Sequence, residues 1–241
     1  PLKLFPFQEE CIQAFLQYRK NIIVKGRQLG LSTTTSAFCL WMALFHKDKN
    51  ILFMATKLET AKNMVAKIRI MLKELPKWML EMLDLQEMEA DSVRVLKLSN
   101  GSKIHAIPTA PDAGRSEAVS FLVIDEAAHI DDLEELWVGL NSVLAEGGSC
   151  AVFSSPKGKN YFYEMYNGAD TGEYKDGMVG MHCETEGPNG LHAIKLPWTV
   201  HPERDEEWYK KETKPMSERA IKQELLCVFE GSDNTYFDQN T

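Results

Sequence analysis

Two adjacent acids, Asp125 and Glu126, stand at the end of an apolar run over residues 121–124. Such a run is typical of a buried strand, whose end would place both carboxylates at one edge of a sheet. Because Mg²⁺ prefers oxygen ligands, Asp125 is predicted to hold the ion directly or through water. Glu126 is then predicted to polarise an attacking water as general base. A pair of surface acids after a strand is the alternative.

A glycine-containing loop, KGRQLGLST over residues 25–33, lies between a predicted strand and a predicted helix. This context is typical of a phosphate-binding loop, in which backbone N–H groups and the helix N-terminus face phosphate oxygens. Ser32 stands where such loops carry the hydroxyl ligand of Mg²⁺, so the predicted cofactors are ATP and Mg²⁺. The predicted nucleotide contacts in the loop are Lys25, Gly26, Gln28, Leu29, Gly30, Leu31, Ser32 and Thr33.

The loop departs from the standard pattern G-x-x-x-x-G-K-[ST]. If Gly30 is its second glycine, Leu31 occupies the lysine position and Lys25 occupies the position of the first glycine. Leucine brings no charge to the β- and γ-phosphates, whereas Lys25 can fold its long side chain back over them. We therefore assign the phosphate lysine to Lys25 and expect Leu31 to point into the domain. A strand–helix turn without a ligand is the alternative.

Further polar residues suit a nucleotide. The amide of Gln8 can pair with both the donor and the acceptor on an adenine edge. Arg27 is either an arginine finger supplied in cis, which stabilises charge on the γ-phosphate, or a surface or phosphate-steering arginine. Ser154 and Ser155 follow another apolar run and suit a γ-phosphate sensor, with a plain turn as the alternative.

Alternating helix and strand patterns surround these residues. Continuous apolar strands between helices predict an α/β fold with a mostly parallel central sheet covered on both faces. The pattern loosens later, so we expect an ATPase core over 1–165 and a small lid or linker subdomain over 166–241, packed on the core. Helices are predicted over 8–19, 32–46, 59–74, 133–144, 204–212 and 217–226. Strands are predicted over 21–24, 51–55, 121–124, 150–153 and 193–196, with a hairpin over 93–107 and a return to the sheet edge at 228–229.

The composition limits the remaining possibilities. The net charge of −8 argues against a passive, high-affinity duplex binder and allows a transient contact through a local patch. No apolar run approaches the ~20 residues of a membrane-spanning helix. The five scattered cysteines predict reduced core residues in a cytosolic protein and no structural metal. The chain starts at Pro1 without a Met or a signal peptide, as an excised fragment would.

The motifs, taken together, resemble the ATPase domain of phage large terminases, the motors that package DNA into preformed capsids. The resemblance is strongest to T-even and related tailed phages and runs over nearly the whole chain. Arg27-Gln-Leu-Gly30 before a Thr-rich helix, with Ile124-Asp-Glu126 and Ser154-Ser-Pro-Lys-Gly158 downstream, is a specific combination. The other matching features are Phe7-Gln8, Ala55-Thr-Lys57, Asn100-Gly-Ser102, Pro111-Asp112 with Arg115, and Phe229-Glu-Gly231.

This resemblance implies a P-loop NTPase fold of the additional-strand catalytic-glutamate type. By the same resemblance, Gln8 would read adenine and Arg27 would be the cis arginine finger. Asp125 and Glu126 would be the metal ligand and the catalytic base. Residues 154–156 would form a coupling motif that links loss of the γ-phosphate to subdomain movement.

One residue departs from the family pattern. Many relatives have a lysine where Leu31 stands, while some terminases place the lysine at the loop start, which favours Lys25. The departure puts the hydrolysis rate, more than nucleotide binding, in question. The family's nuclease domain would follow this region, and no later acidic cluster is present, so no DNA cleavage is expected from this chain.

The resemblance implies partners as well. These are double-stranded DNA bound transiently, a portal protein and a small terminase subunit, with no membrane partner. We expect a homo-oligomeric ring on the portal, a monomer in isolation, and a location in the host cell cytoplasm during phage assembly.

Two other functions fit the motifs less well. A helicase-like remodeller would need arginine-bearing motifs in a second lobe, for which the segment after Ser155 has no room. His129, which gives Asp125-Glu-Ala-Ala-His129 a likeness to a helicase DEAH box with one extra residue, is interpreted as a coincidence. A nucleotide-binding scaffold without turnover is the second alternative, and Leu31 is the reason to consider it.

Overall fold

The computed structural model describes residues 3–84, 88–109 and 118–230. Four residues that contributed to the resemblance, Pro111, Asp112, Arg115 and Gly231, lie outside the described residues. Within the described ranges, no helix combines the length and the apolar character needed to cross a membrane.

The described strands form one sheet. In chain order they are β1 (Lys20–Lys25), β2 (Asn50–Ala55), β3 (Met88–Asp91), β4 (Val95–Leu98), β5 (Lys103–Ala106), β6 (Phe121–Asp125), β7 (Ser149–Ser154), β8 (Met181–His182) and β9 (His192–Leu196). Their order across the sheet is β3-β4-β5-β2-β6-β7-β1-β9-β8. Neighbours from β5 to β9 in this order pair in parallel, whereas β3, β4 and β8 pair antiparallel at the two edges. The predicted mostly parallel sheet is confirmed.

The position of β7 identifies the type of parallel sheet. The loop of residues 25–33 follows β1, and the two acids lie at and after the end of β6. β7 lies between these strands, with Val24 of β1 aligned to Ser154 and Asp125 of β6 aligned to Phe153. One strand therefore separates the loop-bearing strand from the acid-bearing strand, as the predicted additional-strand type of P-loop fold requires.

Helices cover both faces of the sheet. They are α1 (Pro6–Gln17), α2 (Leu31–Phe45), α3 (Leu58–Lys73), α4 (Lys77–Met82), α5 (Leu133–Leu144), α6 (Tyr161–Asn167), α7 (Glu206–Thr213) and α8 (Glu218–Glu224), with 3₁₀ turns at Ala127–His129 and Trp198–Val200. One buried cluster joins the sheet to α1, α2 and α3, and a second joins it to α5 and α6. Because successive residues of a strand face opposite sides, both faces demand apolar residues. In β6, for example, Val123 lies in the first cluster and Leu122 and Ile124 lie in the second.

Most predicted elements are confirmed to within a few residues, and one is wrong. The Asn100-Gly101 hairpin is present, with β4 and β5 antiparallel and Gly101 at a φ of 84°. Residues 228–229 were predicted to return to the sheet edge, but β8 already occupies the edge beside β9. Phe229 instead packs its ring against Phe162 and Tyr163 of α6. The short α4, α6, β3 and β8 were not predicted.

The predicted division at residue 165 cuts across the sheet. β8 and β9 belong to the central sheet, although both lie in the predicted 166–241 subdomain. The helices α7 and α8 lie outside the sheet and reach its loops through contacts described below. The boundary of the small subdomain stays a prediction, and α7 with α8 is the part of the structure that fits it.

Leu31, the first residue of α2, is only 2% exposed and lies in the first core cluster, so it points inward as expected. We predict that Leu31→Ala lowers the free energy of unfolding by about 2–5 kcal/mol, because it leaves a cavity. Leu31→Met conserves volume and should cost less than about 1.5 kcal/mol. Urea denaturation followed by circular dichroism measures both values, and equal stabilities for the two variants would contradict this packing.

Candidate functional site

The predicted site residues converge at one edge of the sheet. β1, β6 and β7 run parallel, so their carboxyl ends emerge side by side. Lys25 ends β1, Asp125 ends β6 and Ser154 ends β7. In open α/β sheets this edge is where ligands bind.

A direct hydrogen bond joins the loop helix to the acid-bearing strand. The hydroxyl of Ser32 donates to Asp125 Oδ2 at 2.7 Å, while Asp125 Oδ1 accepts from the backbone N–H of Glu126 at 2.8 Å. Asp125 is 5% exposed, so its position is fixed by these bonds and by the sheet. Two oxygens held this close, one of them on a carboxylate, fit the hard oxygen ligands that Mg²⁺ selects.

The loop presents its N–H groups to one side. The N–H of Gly26 donates to Leu196 O and that of Arg27 donates to Glu224 O, each at 2.8 Å. The N–H groups of residues 28–32 donate to no acceptor within the part of the chain that the structure describes. Gln28 and Gly30 have φ angles of 56° and 71°, which place both in the left-handed backbone region. Consecutive unpaired N–H groups before a helix form an anion-binding nest suited to phosphate.

Gln8 lies against this loop and not at a free edge. Its Nε2 donates to Leu29 O at 2.9 Å, and its Oε1 accepts from the N–H of Phe5 at 3.1 Å. The residue is 6% exposed, and a Cβ at Gly30 would lie 2.8 Å from its Nε2. The structure thus shows Gln8 holding the backbone of the loop of residues 25–33, a contact that the sequence did not predict. Its reading of adenine stays a prediction.

Arg27 is held by an acid from α7. Its guanidinium forms an ion pair with Glu212, and both side chains are about one-third exposed. The Nε of Arg27 is buried without a hydrogen-bond partner among the described residues. The role of Arg27 as a cis arginine finger stays a prediction. In this structure the ion pair with Glu212 determines the position of its guanidinium.

Glu126 adopts a left-handed backbone conformation, with φ 55° and ψ 38°. A non-glycine residue rarely occupies this region, and such strain is often found at functional sites. The turn exposes the carboxylate beyond the strand, while the hydroxyl of Thr56 donates to Glu126 O at 3.3 Å. Nearby, burial lowers the pKa of His129, Lys157 adds to the lowering, and Glu126 acts in the opposite direction.

The two serines after β7 differ in their surroundings. Ser154 is fully buried, and its Oγ has no hydrogen-bond partner among the described residues. An unpaired buried hydroxyl in a native structure requires an explanation, and a ligand at this edge would supply one. Ser155 Oγ donates to Glu224 Oε1 of α8 at 3.5 Å, the outer limit of a hydrogen bond.

Comparison with known proteins identifies the family. The family model described as terminase large subunit, T4likevirus-type, N-terminal, matches residues 22–241. The chain belongs to this family. A terminase large subunit from Thermus phage G20c is 30% identical over 129 residues, which are 53% of this chain and 26% of that relative. The matched segment thus spans about a quarter of the relative's length.

Solved terminase structures share the fold. The large terminase ATPase domain of Thermus phage P74-26 has a TM-score of 0.73 at 19% identity, with 95% of this chain and 94% of that one covered. The HK97 bacteriophage large terminase has a TM-score of 0.70 at 14% identity, covering 95% and 51%. A large terminase from a thermophilic bacteriophage, solved in complex with ADP, has a TM-score of 0.68 at 8% identity, covering 94% and 54%.

Three residues of this terminase-family site escaped the sequence reasoning. Arg204, Glu212 and Glu224 all contact the phosphate loop, yet they lie about 180 residues after it, with separations of 177 and 185 for the first two. They belong to no motif, and their surroundings showed only a weak helical pattern. The one available signal was that all three are charged residues within predicted helices.

For the phosphate lysine, we predict that Lys25→Ala weakens binding of a fluorescent ATP analogue by about 10- to 100-fold, the loss expected for charge-assisted bonds. Lys20→Ala is the matched control, because Lys20 starts the same strand and its Nζ contacts Asn141 at the surface. Normal binding by Lys25→Ala would remove this lysine from the site and make Arg27 the next candidate.

For the orphaned hydroxyl, Ser154→Ala should change the free energy of unfolding by less than about 1 kcal/mol, because no hydrogen bond is lost. If Ser154 Oγ contacts the nucleotide, ATP turnover should still fall by about 5- to 10-fold, the value of one hydrogen bond. Ser149→Ala, at the other end of β7, serves as the control. Loss of stability with unchanged turnover would give Ser154 a packing role only.

Proposed function

We propose that this chain is the ATPase motor domain of a phage large terminase, hydrolysing ATP to ADP and phosphate to drive double-stranded DNA into a procapsid. One observation carries the proposal: the unpaired N–H groups of residues 28–32 and the Ser32–Asp125 contact lie at the sheet edge that also carries Glu126. Family membership, the fold shared with terminase ATPase domains and the ADP complex of one such relative support it.

ATP would bind with its phosphates in the loop. The N–H groups of residues 28–32 and the N-terminus of α2 supply the attraction for the anion. Lys25 would add a charged donor from the loop start, where β1 ends. Ser32 and Asp125 would hold Mg²⁺, which neutralises charge on the phosphates when it is bound.

Hydrolysis requires a water to attack the γ-phosphorus. As the new P–O bond forms, the bond to the β-phosphate oxygen breaks, and the leaving group departs as ADP. Glu126 would accept the proton of the water, and its exposed carboxylate just beyond β6 suits that task. Arg27 would stabilise the charge that develops on the γ-phosphate, after exchanging its partner Glu212 for a phosphate oxygen.

Loss of the γ-phosphate must then reach other parts of the molecule. Ser154 would sense the γ-phosphate through its unpaired hydroxyl, since β7 lies directly beside β1. The neighbouring Ser155 contacts Glu224 of α8, whose carbonyl also accepts from the N–H of Arg27. These contacts give a physical route from the phosphate site to the C-terminal helices.

The partners belong to the same proposal. They are double-stranded DNA, a portal protein and a small terminase subunit. The chain would form a homo-oligomeric ring on the portal and be a monomer in isolation, and it would act in the host cell cytoplasm during phage assembly. The net charge of −8 suits a brief DNA contact, because a motor must release its track. We expect no nuclease activity from this chain.

A nucleotide-binding scaffold without turnover is the second candidate. Two observations favour it: Leu31 replaces the standard lysine and is buried, and Arg27 is paired with Glu212. A phosphate-release assay on the purified chain separates it from the motor domain.

The decisive variant is Glu126→Gln, which keeps the shape of the side chain and removes the base. We predict that it lowers ATP turnover by about 10²–10⁴-fold, the usual range for loss of a general base, with ATP binding nearly intact. Turnover is followed by phosphate release and binding by a fluorescent ATP analogue. Glu135→Gln, on the exposed face of α5, should behave as wild type. Wild-type turnover in Glu126→Gln would eliminate this residue from the mechanism.

A further inference from the structure

The carbonyl groups of the phosphate loop need partners on the side away from the phosphates. When the N–H groups of a loop converge on an anion, the carbonyls of the same peptides point outward, and they must be paired where they are shielded from water. Leu29 O is paired with Gln8, and Gly30 O accepts from the N–H groups of Thr33 and Thr34 in α2. The two carbonyls before these are those of Arg27, which is half-buried, and Gln28, which is exposed.

Arg204 satisfies both. Its Nη1 donates to Arg27 O at 3.2 Å, and its Nη2 donates to Gln28 O at 2.8 Å. A planar guanidinium can address two adjacent acceptors at once, which the single ammonium of a lysine cannot do with the same geometry. Arg204 therefore holds two consecutive peptides of the loop in one orientation.

The guanidinium of Arg204 is itself held in place. Its Cζ lies 4.5 Å from the centre of the Trp208 ring, in a cation–π contact. Trp208 in turn stacks on the buried Trp198, with 5.7 Å between ring centres. The backbone N–H of Trp198 donates to Leu225 O at 2.9 Å, which connects this residue to the end of α8. The contact with Trp208 restrains the guanidinium of Arg204 in the orientation that makes its two hydrogen bonds to the loop.

Glu212 offsets the repulsion between Arg27 and Arg204. Arg27 and Arg204 lie close enough to repel each other, and Glu212 is ion-paired to Arg27 and attracts Arg204. Burial lowers the pKa of Arg204, the attraction of Glu212 opposes that change, and the charge of Arg27 adds to it. Since an arginine stays protonated in proteins, the guanidinium of Arg204 remains available as a donor.

The loop needs this support at Gln28. A φ of 56° places Gln28 in the left-handed region, where a residue with a side chain is disfavoured. Its carbonyl receives the shorter of the two bonds from Arg204. The contact that supports this backbone angle therefore also holds the peptide that carries the N–H of Leu29.

We propose that Arg204 is a positioning residue of the nucleotide site, which keeps the phosphate loop open to ligand by holding the carbonyls of Arg27 and Gln28 outward. This inference rests on the proposed function. In this proposal Arg204 acts through the backbone of the loop, by its bonds to Arg27 O and Gln28 O. Because Arg204 lies two residues before the start of α7, a displacement of that helix would release both bonds together and weaken nucleotide binding.

The test compares Arg204→Ala, Arg204→Lys and the control Arg219→Ala, whose side chain is exposed on α8. Equilibrium binding of fluorescent ADP and ATP analogues with Mg²⁺, melting temperature and phosphate release are measured on each purified chain. Arg204→Ala should weaken ADP and ATP binding by the same factor, about 10-fold or more, because the competent loop is less populated. Arg204→Lys should recover part of the loss. Arg219→Ala should match wild type.

The outcomes separate the inference from the proposed function. Wild-type affinity in Arg204→Ala, at temperatures where the variant is folded, overturns the positioning role, even if the melting temperature has dropped. Weaker binding of ATP with unchanged binding of ADP also overturns it, since that pattern belongs to a γ-phosphate contact. Failure of the wild-type chain to bind either nucleotide overturns the proposed function itself.

Discussion

The hydrogen bond between Ser32 and Asp125 depends on the parallel alignment of β1, β7 and β6, which also organises the rest of the candidate site. It joins the first turn of α2 to the end of β6, two strands away from β1, across 93 residues of sequence. The bond can form only because β1, β7 and β6 run parallel with their carboxyl ends in line. A change in strand register of one residue would reverse the faces of the side chains and separate these two oxygens. The buried apolar faces of the strands therefore secure the chemistry at their ends.

The sequence predicted those elements whose physical signal is local. Four-residue apolar runs such as 121–124 and 150–153 are typical of strands inside a sheet that is covered on both faces. The pair Asn100-Gly101 favours a tight turn by its own backbone preferences. The two-residue strand β8 has too few residues to show a period, and α6 is only seven residues long. Phe229 was misplaced for a different reason: its apolar character suits a strand and an aromatic cluster equally, and only the occupied sheet edge decides between them.

The candidate site divides in the same way. Gly30, Ser32, Asp125 and Glu126 were found because each stands at a characteristic place beside a strand or helix that the pattern itself predicts. Gln8 was singled out for its amide, yet its contact with Leu29 O depends on how α1 packs against the loop. Arg204 and Glu212 had no distinguishing pattern, because a surface arginine and a helix glutamate are common. Their role comes from long-range packing, which one sequence does not express.

The replacement of the standard lysine by Leu31 separates the packing of the loop from its charge. A lysine at that position must extend out of the domain to reach phosphate, whereas Leu31 fills the core under the first turn of α2. Under the proposed function, positive charge would come instead from the start of the loop, from Lys25 at the end of β1 and from Arg27, which is paired with Glu212. An arginine restrained by a carboxylate can move when a competing phosphate arrives, while a leucine in the core cannot. Under the proposed function, the loop would thus combine a fixed apolar anchor, Leu31, with a charge on Arg27 whose position before nucleotide binds is set by Glu212 of α7.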